Sequence, residues 1–234
     1  ANLLSLEEGP EDSIFIDSLM TGDELFQSVD GFPALLADPW MNARLATLHA
    51  CSDLWATGAS VVSAQALITL PPLPATLQQD LLVQVLNGIQ SALLPQSARL
   101  LGGHTVESRS SSLSPPTLDV QISLSVNGLV SSNQEAWKKC GLEEGDSLLL
   151  SRPLGTGVLF AGLKDGLTAA VDLDHCLSKM LTSQHLLLDF LRGIESKNRA
   201  QNIVHACTDI TGFGLLGHLG EMINSSNRNR AKEG

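Results

Sequence analysis

"HACTDITGFGLLGHLGEM", residues 205–222, is the stretch that says most about the fold of this chain. Its apolar residues recur at helical spacing, at Phe213, Leu216, Leu219, Met222 and Ile223, and predict a core-facing helix. The same stretch carries Gly212, Gly214, Gly217 and Gly220, although glycine inside a helix costs about 1 kcal/mol relative to alanine. Either these glycines let a neighbouring backbone approach closely, or Gly212 and Gly214 present N–H groups beside Asp209 to a metal-bound phosphate. The stretch alone leaves both readings open.

Upstream of this helix, the sequence predicts a mixed or antiparallel sheet with helices packed on it. Strands are expected at residues 13–16, 23–30, 60–70 and 98–108, the last one broken at Gly102-Gly103. The clearest strand signal is a strict alternation of apolar residues at Leu118, Val120, Ile122, Leu124 and Val126. Asp38 and Pro39 predict a helix start as N-cap and first helical residue, and Gly58 predicts its end. A second amphipathic helix is expected within residues 74–94.

The pattern changes near Gly141, where we place a domain boundary. Residues 141–163 predict a turn, a buried strand, a Gly-rich turn at "LGTG" and a helix. The Gly-rich turn is equally compatible with an anion site at the helix N-terminus and with a simple tight turn. We therefore expect an α/β (α+β) fold of two domains, residues 1–143 and 144–234. Because the second domain ends in a polar tail after about 90 residues, we expect it to be incomplete.

Composition excludes several classes of protein. The 234 residues carry a net charge of −11, which disfavours nucleic acid and anionic membranes as partners. No uncharged apolar run of about 18 residues predicts a membrane span, and no signal peptide is visible. The four cysteines form no CxxC pair, so they suggest neither a zinc site nor a disulfide framework. Reduced thiols fit a cytoplasmic protein best.

Four aspartates lie at the ends of predicted elements: Asp12, Asp30, Asp53 and Asp209. Carboxylate oxygens suit a hard cation such as Mg²⁺, which commonly bridges a few acids and the phosphates of a nucleotide. Each aspartate taken singly is also compatible with a helix cap or a solvated charge, and Asp209 in particular with an N-cap. The chain has no Walker A pattern and no dinucleotide-binding loop. Spacing along the chain does not show whether the four acids meet.

Four motifs, in their order along the chain, resemble selenophosphate synthetase (selenide, water dikinase). They are "DPWMNARLATLHACSDLWATGAS", "LLGGHTVES", "LLSRPLGTGVL" and "ACTDITGFGLLGHLGEM". The resemblance spans about residues 8 to 230 and places the chain in the aminoimidazole ribonucleotide synthetase-like superfamily. It implies two α/β domains, a homodimer formed through the N-terminal sheets, and ATP with Mg²⁺ in a cleft between the domains. The implied reaction converts ATP, selenide and water into selenophosphate, AMP and phosphate.

The resemblance also implies roles for individual residues. The expected metal ligands are Asp12, Asp53 and Asp209. The expected ATP-binding residues are Asp30 and Asp53, together with Gly103, His104 and Thr105, which would touch the nucleotide across the dimer interface. Whether K⁺ is also needed stays open.

Two departures from the family's pattern bear on catalysis. The family carries a Gly-rich loop with a catalytic cysteine or selenocysteine and a nearby lysine, and this chain has neither, so no catalytic residue is assigned to it. Glu11 stands where the family has the first of two paired aspartates. Some family members are fused to a flavin-type oxidoreductase, and this chain could be one part of such a fusion. Two alternatives remain: another ATP-dependent member of the superfamily, or a nucleotide-binding or dimerisation module without catalysis.

Overall fold

The computed structural model describes residues 11–108, 120–197 and 203–233. Leu118 of the predicted alternating strand lies outside these ranges. The strands are β1 (Ile14–Ser18), β2 (Glu24–Phe32), β3 (Ser60–Leu70), β4 (Arg99–Glu107) and β5 (Gln121–Val130). The helices are α1 (Pro39–Ala56), α2 (Ala75–Leu93), α3 (Thr156–Lys164), α4 (Ala170–Met180), α5 (His185–Lys197) and α6 (Gly214–Glu233).

The five strands form one mixed sheet in the order β1-β2-β5-β3-β4. Only β3 and β4 pair in parallel, and helix α2 makes the crossover that parallel neighbours require. All other neighbours are antiparallel, as the alternating pattern predicted. One face of the sheet packs on α1 and α2 to form the core, with Ile122, Leu124 and Val126 of β5 almost fully buried. The opposite face has no helix on it among the described residues.

Helix α1 is the central element of the core. Its start follows the sequence prediction, since the Asp38 side chain accepts a hydrogen bond from the Met41 N–H at 2.7 Å and Pro39 occupies the first turn. It ends at Ala56 with Thr57 as its C-cap, followed by Gly58 with a φ of +78°, which suits glycine. Most of its residues are buried, including Leu54. This buried helix carries Ser52 and Asp53 in its last turns.

Strand β4 is continuous through Gly102 and Gly103, so the predicted break is wrong. The irregularity is absorbed as a register shift, because Ala64 faces Leu100 whereas Gln65 faces Gly102. Gly103 has a φ of +157°, and a Cβ built on it would lie 1.9 Å from the Ala66 carbonyl oxygen. The absence of a side chain is therefore what allows β4 to pair with β3 at this point.

We expect Gly103→Ala to destabilise the chain by about 2 kcal/mol or more, because the methyl group must displace β4 from β3. Urea unfolding measures the change. Gly157→Ala is a matched control, since a Cβ on Gly157 meets nothing within 4 Å. Equal stability of the two variants would contradict the prediction.

The C-terminal part, from residue 144 on, consists of α3 to α6 in the described residues. The buried strand predicted within residues 147–151 is not formed, since no described segment pairs with it and Leu148 and Leu149 are 65% and 79% exposed. None of the helices in the described ranges is both long enough and apolar enough to cross a bilayer.

Helix α6 differs from its prediction in both its start and its buried face. It begins at Gly214, with a φ of +67°, so Gly212 and Asp209 lie in the preceding loop. The predicted core stripe is wrong at Phe213, Leu216 and Ile223, which are 77%, 84% and 45% exposed. The buried positions are instead His218, Met222 and Ser226. Close backbone approach does not explain the glycines either: a Cβ at Gly212, Gly214 or Gly220 would meet no atom of the described residues within 4 Å, and one at Gly217 would meet the side chain of Phe213 at 2.7 Å.

Candidate functional site

Three carboxylates from distant parts of the chain meet at one place. Asp12 lies just before β1, Asp53 in the last turns of α1, and Asp209 in the loop before α6. One oxygen from each of the three lies within 4.8 Å of the others. All three belong to the four aspartates that sequence analysis singled out.

Hydroxyl groups hold each of these carboxylates. Ser28 of β2 donates to Asp53, and Ser52 of α1 donates to Asp209 at 2.7 Å. Thr208 donates to Asp12 at 3.4 Å. Asp209 is therefore not the N-cap of α6, because its side chain turns toward α1 and the helix begins five residues later.

The grouping of like charges changes the acidity of the cluster. Burial raises the pKa of Asp53 to about 7, and the nearby charges of Asp209, Asp12 and Asp30 act in the same direction. Burial also raises the pKa of Asp12, against the opposing effect of Lys139. Near neutral pH Asp53 is thus protonated in part of the molecules, and a bound cation would displace this proton.

Sequence analysis did not identify Lys139, which is in direct contact with the cluster. Its Nζ lies 2.7 Å from Asp12 Oδ1 and 3.4 Å from Glu221 Oε2, and its side chain is 9% exposed. The pKa of this ammonium is raised: burial lowers it, but the two acids outweigh burial. A lysine is rarely buried unless it is paired with an acid, so burial of Lys139 would have indicated a special role. Burial cannot be read from the sequence, so sequence analysis had no signal for this residue.

Asp30 belongs to an adjacent ion pair. Its Oδ2 lies 2.8 Å from Nε2 of His49 on α1, and the ring of His49 packs edge-on against Phe32. Hydrogen bonding to Asp30 raises the pKa of His49. Burial would raise the pKa of Asp30, but His49 and the Gly31 N–H together lower it. Asp30 therefore stays ionised beside the three-carboxylate cluster, with His49 as its partner.

We expect Asp30→Asn to lower the pKa of His49, since the residue loses the acceptor that stabilises its protonated ring. The stability that the pair supplies should be fully present below the pKa of an unfolded histidine and lost as the pH rises through the pKa of folded His49. NMR titration of the ring proton follows this directly. His175 of α4, which forms no ion pair with any described residue, is the internal reference. An unchanged His49 titration would contradict the assignment.

The remaining predicted nucleotide residues lie elsewhere in the chain. Gly103, His104 and Thr105 are exposed on β4, at the edge of the sheet. Asp30 is on β2, and strands β5 and β3 lie between β2 and β4. Three strand spacings of about 4.8 Å, or about 14 Å, therefore separate β2 from β4. Within one chain, the structure does not bring these residues to the carboxylates.

The cysteines near the site are poor nucleophiles. Burial raises the pKa of both Cys51 and Cys207 to about 12, so their thiols remain protonated at neutral pH.

Comparison with known proteins identifies the fold and the family. The model of the AIR synthase related protein N-terminal domain matches residues 10–130, and that of the C-terminal domain matches residues 143–229. A protein named selenide, water dikinase from Bdellovibrio bacteriovorus is 33% identical over 202 residues, which are 86% of this chain and 53% of that protein. The chain thus spans about half the length of the curated relatives it matches.

Solved structures agree on the fold. One described as AaThiL complexed with AMPPCP and TMP has a TM-score of 0.70 at 18% identity, covering 93% of this chain and 64% of that one. The hydrogenase maturation protein HypE in complex with ATP has a TM-score of 0.62 at 20% identity, covering 86% of this chain and 56% of that one. Because the two consecutive domain models together match most of its length, the chain belongs to the AIR synthase related protein family.

Proposed function

We propose that this chain is the Mg-ATP-binding part of a selenide, water dikinase, which converts ATP, selenide and water into selenophosphate, AMP and phosphate. The observation that carries the proposal is the convergence of Asp12, Asp53 and Asp209 within 4.8 Å. The relative from Bdellovibrio bacteriovorus supports the choice of reaction, and the nucleotide complexes of the two structural neighbours support ATP as the substrate.

The three carboxylates fit a divalent cation. An octahedral Mg²⁺ with bonds of about 2.1 Å sets its ligand oxygens roughly 3 to 4 Å apart, slightly closer than the 4.8 Å limit observed here. The donor set is all oxygen, and burial together with the nearby carboxylates disfavours the charged form of Asp53, which a bound cation would favour. A bound cation would neutralise phosphate charge and orient the phosphorus for attack.

The residues around the cation position would hold the ligands rather than react. Ser28 and Ser52 fix the orientation of Asp53 and Asp209. Without a cation, a triphosphate of about four negative charges would meet an already acidic cluster in a chain of net charge −11. Nucleotide binding should therefore require the divalent cation.

A homodimer would cover the exposed face of the sheet. The sheet face opposite the helices exposes Val29 and Leu67, at 70% and 48%. His104 is the register partner of Leu67, so it belongs to the same part of the sheet. Burying this face against the same face of a second copy would remove apolar surface from water, and contact of His104 and Thr105 with a nucleotide held by the second copy is part of this proposal.

The proposal is tested by calorimetry and by product analysis. We expect the chain to bind a non-hydrolysable ATP analogue in the presence of Mg²⁺ and not in EDTA. In a protein containing this chain together with the family's cysteine loop, ³¹P NMR should show selenophosphate, and AMP should appear only when selenide is added. AMP release that ignores selenide would favour another ATP-dependent member of the family. Absence of nucleotide binding with Mg²⁺ would contradict the proposal.

A further inference from the structure

Lys139 is a permanent cation inside the carboxylate cluster. Its Nζ contacts Asp12 at 2.7 Å, and its backbone N–H donates to Glu11 Oε2 at 3.0 Å, which holds the residue in place. Asp12 is also one of the three acids that would bind the divalent cation. Two positive charges, one fixed and one exchangeable, would thus share the same carboxylate.

Resting on the proposed function, we propose that Lys139 is a positioning residue that acts as a built-in counter-cation: it pairs with Asp12 while the site is empty and transfers to Glu221 when a divalent cation binds. The ammonium already lies between the two acids, because Glu221 Oε2 is 3.4 Å from Nζ. A small movement therefore exchanges one ion pair for the other. Lys139 competes with the cation for Asp12 and sets how tightly the site binds it.

Glu221 can move to accept the ammonium. Its side chain is 40% exposed, whereas those of Asp12 and Lys139 are almost fully buried. The same Glu221 oxygen lies 3.8 Å from Nδ1 of His218, a buried nitrogen that has no hydrogen-bond partner among the described residues. Because Nε2 of His218 accepts from the Thr211 N–H at 3.1 Å, the neutral ring carries its proton on Nδ1. An inward shift of Glu221 would satisfy this donor together with Lys139.

The exchange would couple cation binding to α6. Glu221 and His218 are both on that helix, and Asp209 lies in the loop that leads into it. Ser226, one turn further along, accepts hydrogen bonds at 3.1 Å from the backbone N–H groups of Gly141 and Leu142. The segment that carries Lys139 thus contacts α6 at two points, Ser226 and Glu221. In this proposal the contact of Lys139 with Glu221 strengthens when the cation binds.

The test measures Mn²⁺ affinity without nucleotide, by electron paramagnetic resonance of the free ion, in the wild-type chain and in variants. Lys139→Met should bind Mn²⁺ at least about tenfold more tightly, because the competing charge beside Asp12 is gone. Lys138→Met removes the same charge from the exposed neighbouring residue and should change the affinity little. If Lys139 were only a structural anchor for Asp12, Lys139→Met would bind Mn²⁺ more weakly.

Glu221→Gln provides an independent test, because the Glu221 side chain is partly exposed and its replacement should leave the fold intact. It should weaken Mn²⁺ binding about threefold or more, because Lys139 loses its alternative partner and stays on Asp12. In the Lys139→Met background the same change should have a clearly smaller effect, as measured by a double-mutant cycle. Additive effects, or unchanged or tighter binding by Glu221→Gln alone, would overturn the proposal.

Thermal unfolding adds a second readout. Asp12 loses its partner in Lys139→Met, so saturating Mn²⁺ should raise the Tm of this variant more than that of the wild type. A smaller rise would count against the exchange. A wild-type chain that binds no Mn²⁺ would overturn the proposed function itself. Wild-type binding combined with weaker binding by Lys139→Met would overturn only the role of Lys139.

Discussion

Asp53→Asn should weaken Mg-ATP binding by at least about 100-fold, or about 2.7 kcal/mol. Asp53 lies within electrostatic range of the other acids, since the charges of Asp209, Asp12 and Asp30 all raise its pKa. An amide supplies one neutral oxygen in place of a carboxylate, so the cation loses a charged ligand. Asp209→Asn should weaken Mg-ATP binding to a similar extent, because Asp209 is also part of the cluster.

Calorimetry with Mg²⁺ and a non-hydrolysable ATP analogue measures this loss. Asp80→Asn is the matched control, because Asp80 is exposed on α2 and carries the same charge. It should retain wild-type affinity. Unchanged affinity in both Asp53→Asn and Asp209→Asn would show that the nucleotide is not held through this cluster.

The same residue should make the cation-free chain sensitive to pH. The pKa of Asp53 is about 7 in the folded state and near 3.8 when unperturbed, so between about pH 4 and pH 7 the folded state holds a proton that the unfolded state has released. The contribution of Asp53 to the free energy of unfolding is therefore largest below about pH 4 and falls as the pH rises to about 7. Asp53→Asn should flatten that part of the curve in urea unfolding without Mg²⁺. An equally steep decline in the variant would contradict this explanation.

Arg192→Ala should destabilise the chain by about 3 to 5 kcal/mol, the range expected when one member of a buried ion pair is removed. The guanidinium of Arg192 on α5 donates to the Gly58 carbonyl at 3.0 and 2.8 Å and to the Glu135 carbonyl at 3.0 Å. It also stacks on Trp137, 4.2 Å from the ring centroid, and pairs with Glu195 at 2.8 Å. Alanine would leave two carbonyls and a carboxylate without this donor.

Chemical unfolding tests the contribution of Arg192. Lys197→Ala, at the exposed end of the same helix, removes the same charge and should change the free energy of unfolding by less than about 0.5 kcal/mol. Arg192→Lys should recover only part of the stability, because an ammonium cannot reproduce the flat guanidinium on Trp137. A loss below about 1 kcal/mol in Arg192→Ala would show that α5 is held to the end of α1 mainly by apolar contacts.

Local signals in the sequence were sufficient for several elements. Asp38 and Pro39 set the start of α1, since an N-cap acts within one turn of its own helix. The alternation from Val120 to Val126 predicted a half-buried strand, because side chains of a strand point to opposite faces in turn. The order of the motifs also identified the family that the domain models later matched.

Where local pattern and tertiary context disagreed, tertiary context decided. Leu148 and Leu149 are apolar enough for a strand, but a strand forms only when another segment accepts its hydrogen bonds. Helix α6 buries His218 and Ser226 instead of Phe213 and Leu216, because His218 accepts a hydrogen bond from Thr211 and Ser226 accepts from Gly141 and Leu142. Periodicity can show that a helix has faces without showing which one is covered.

The sequence by itself determined the class of fold, the family and the acids worth testing, because caps, periodicity and motifs act over a few residues. Only the tertiary structure brought Asp12, Asp53 and Asp209 together, paired Lys139 with Asp12, and set Asp30 against His49. These contacts join residues far apart along the chain, and their geometry depends on how the sheet, α1 and the loop before α6 pack. Burial also sets the charge state of Asp53, and burial exists only once the chain has folded.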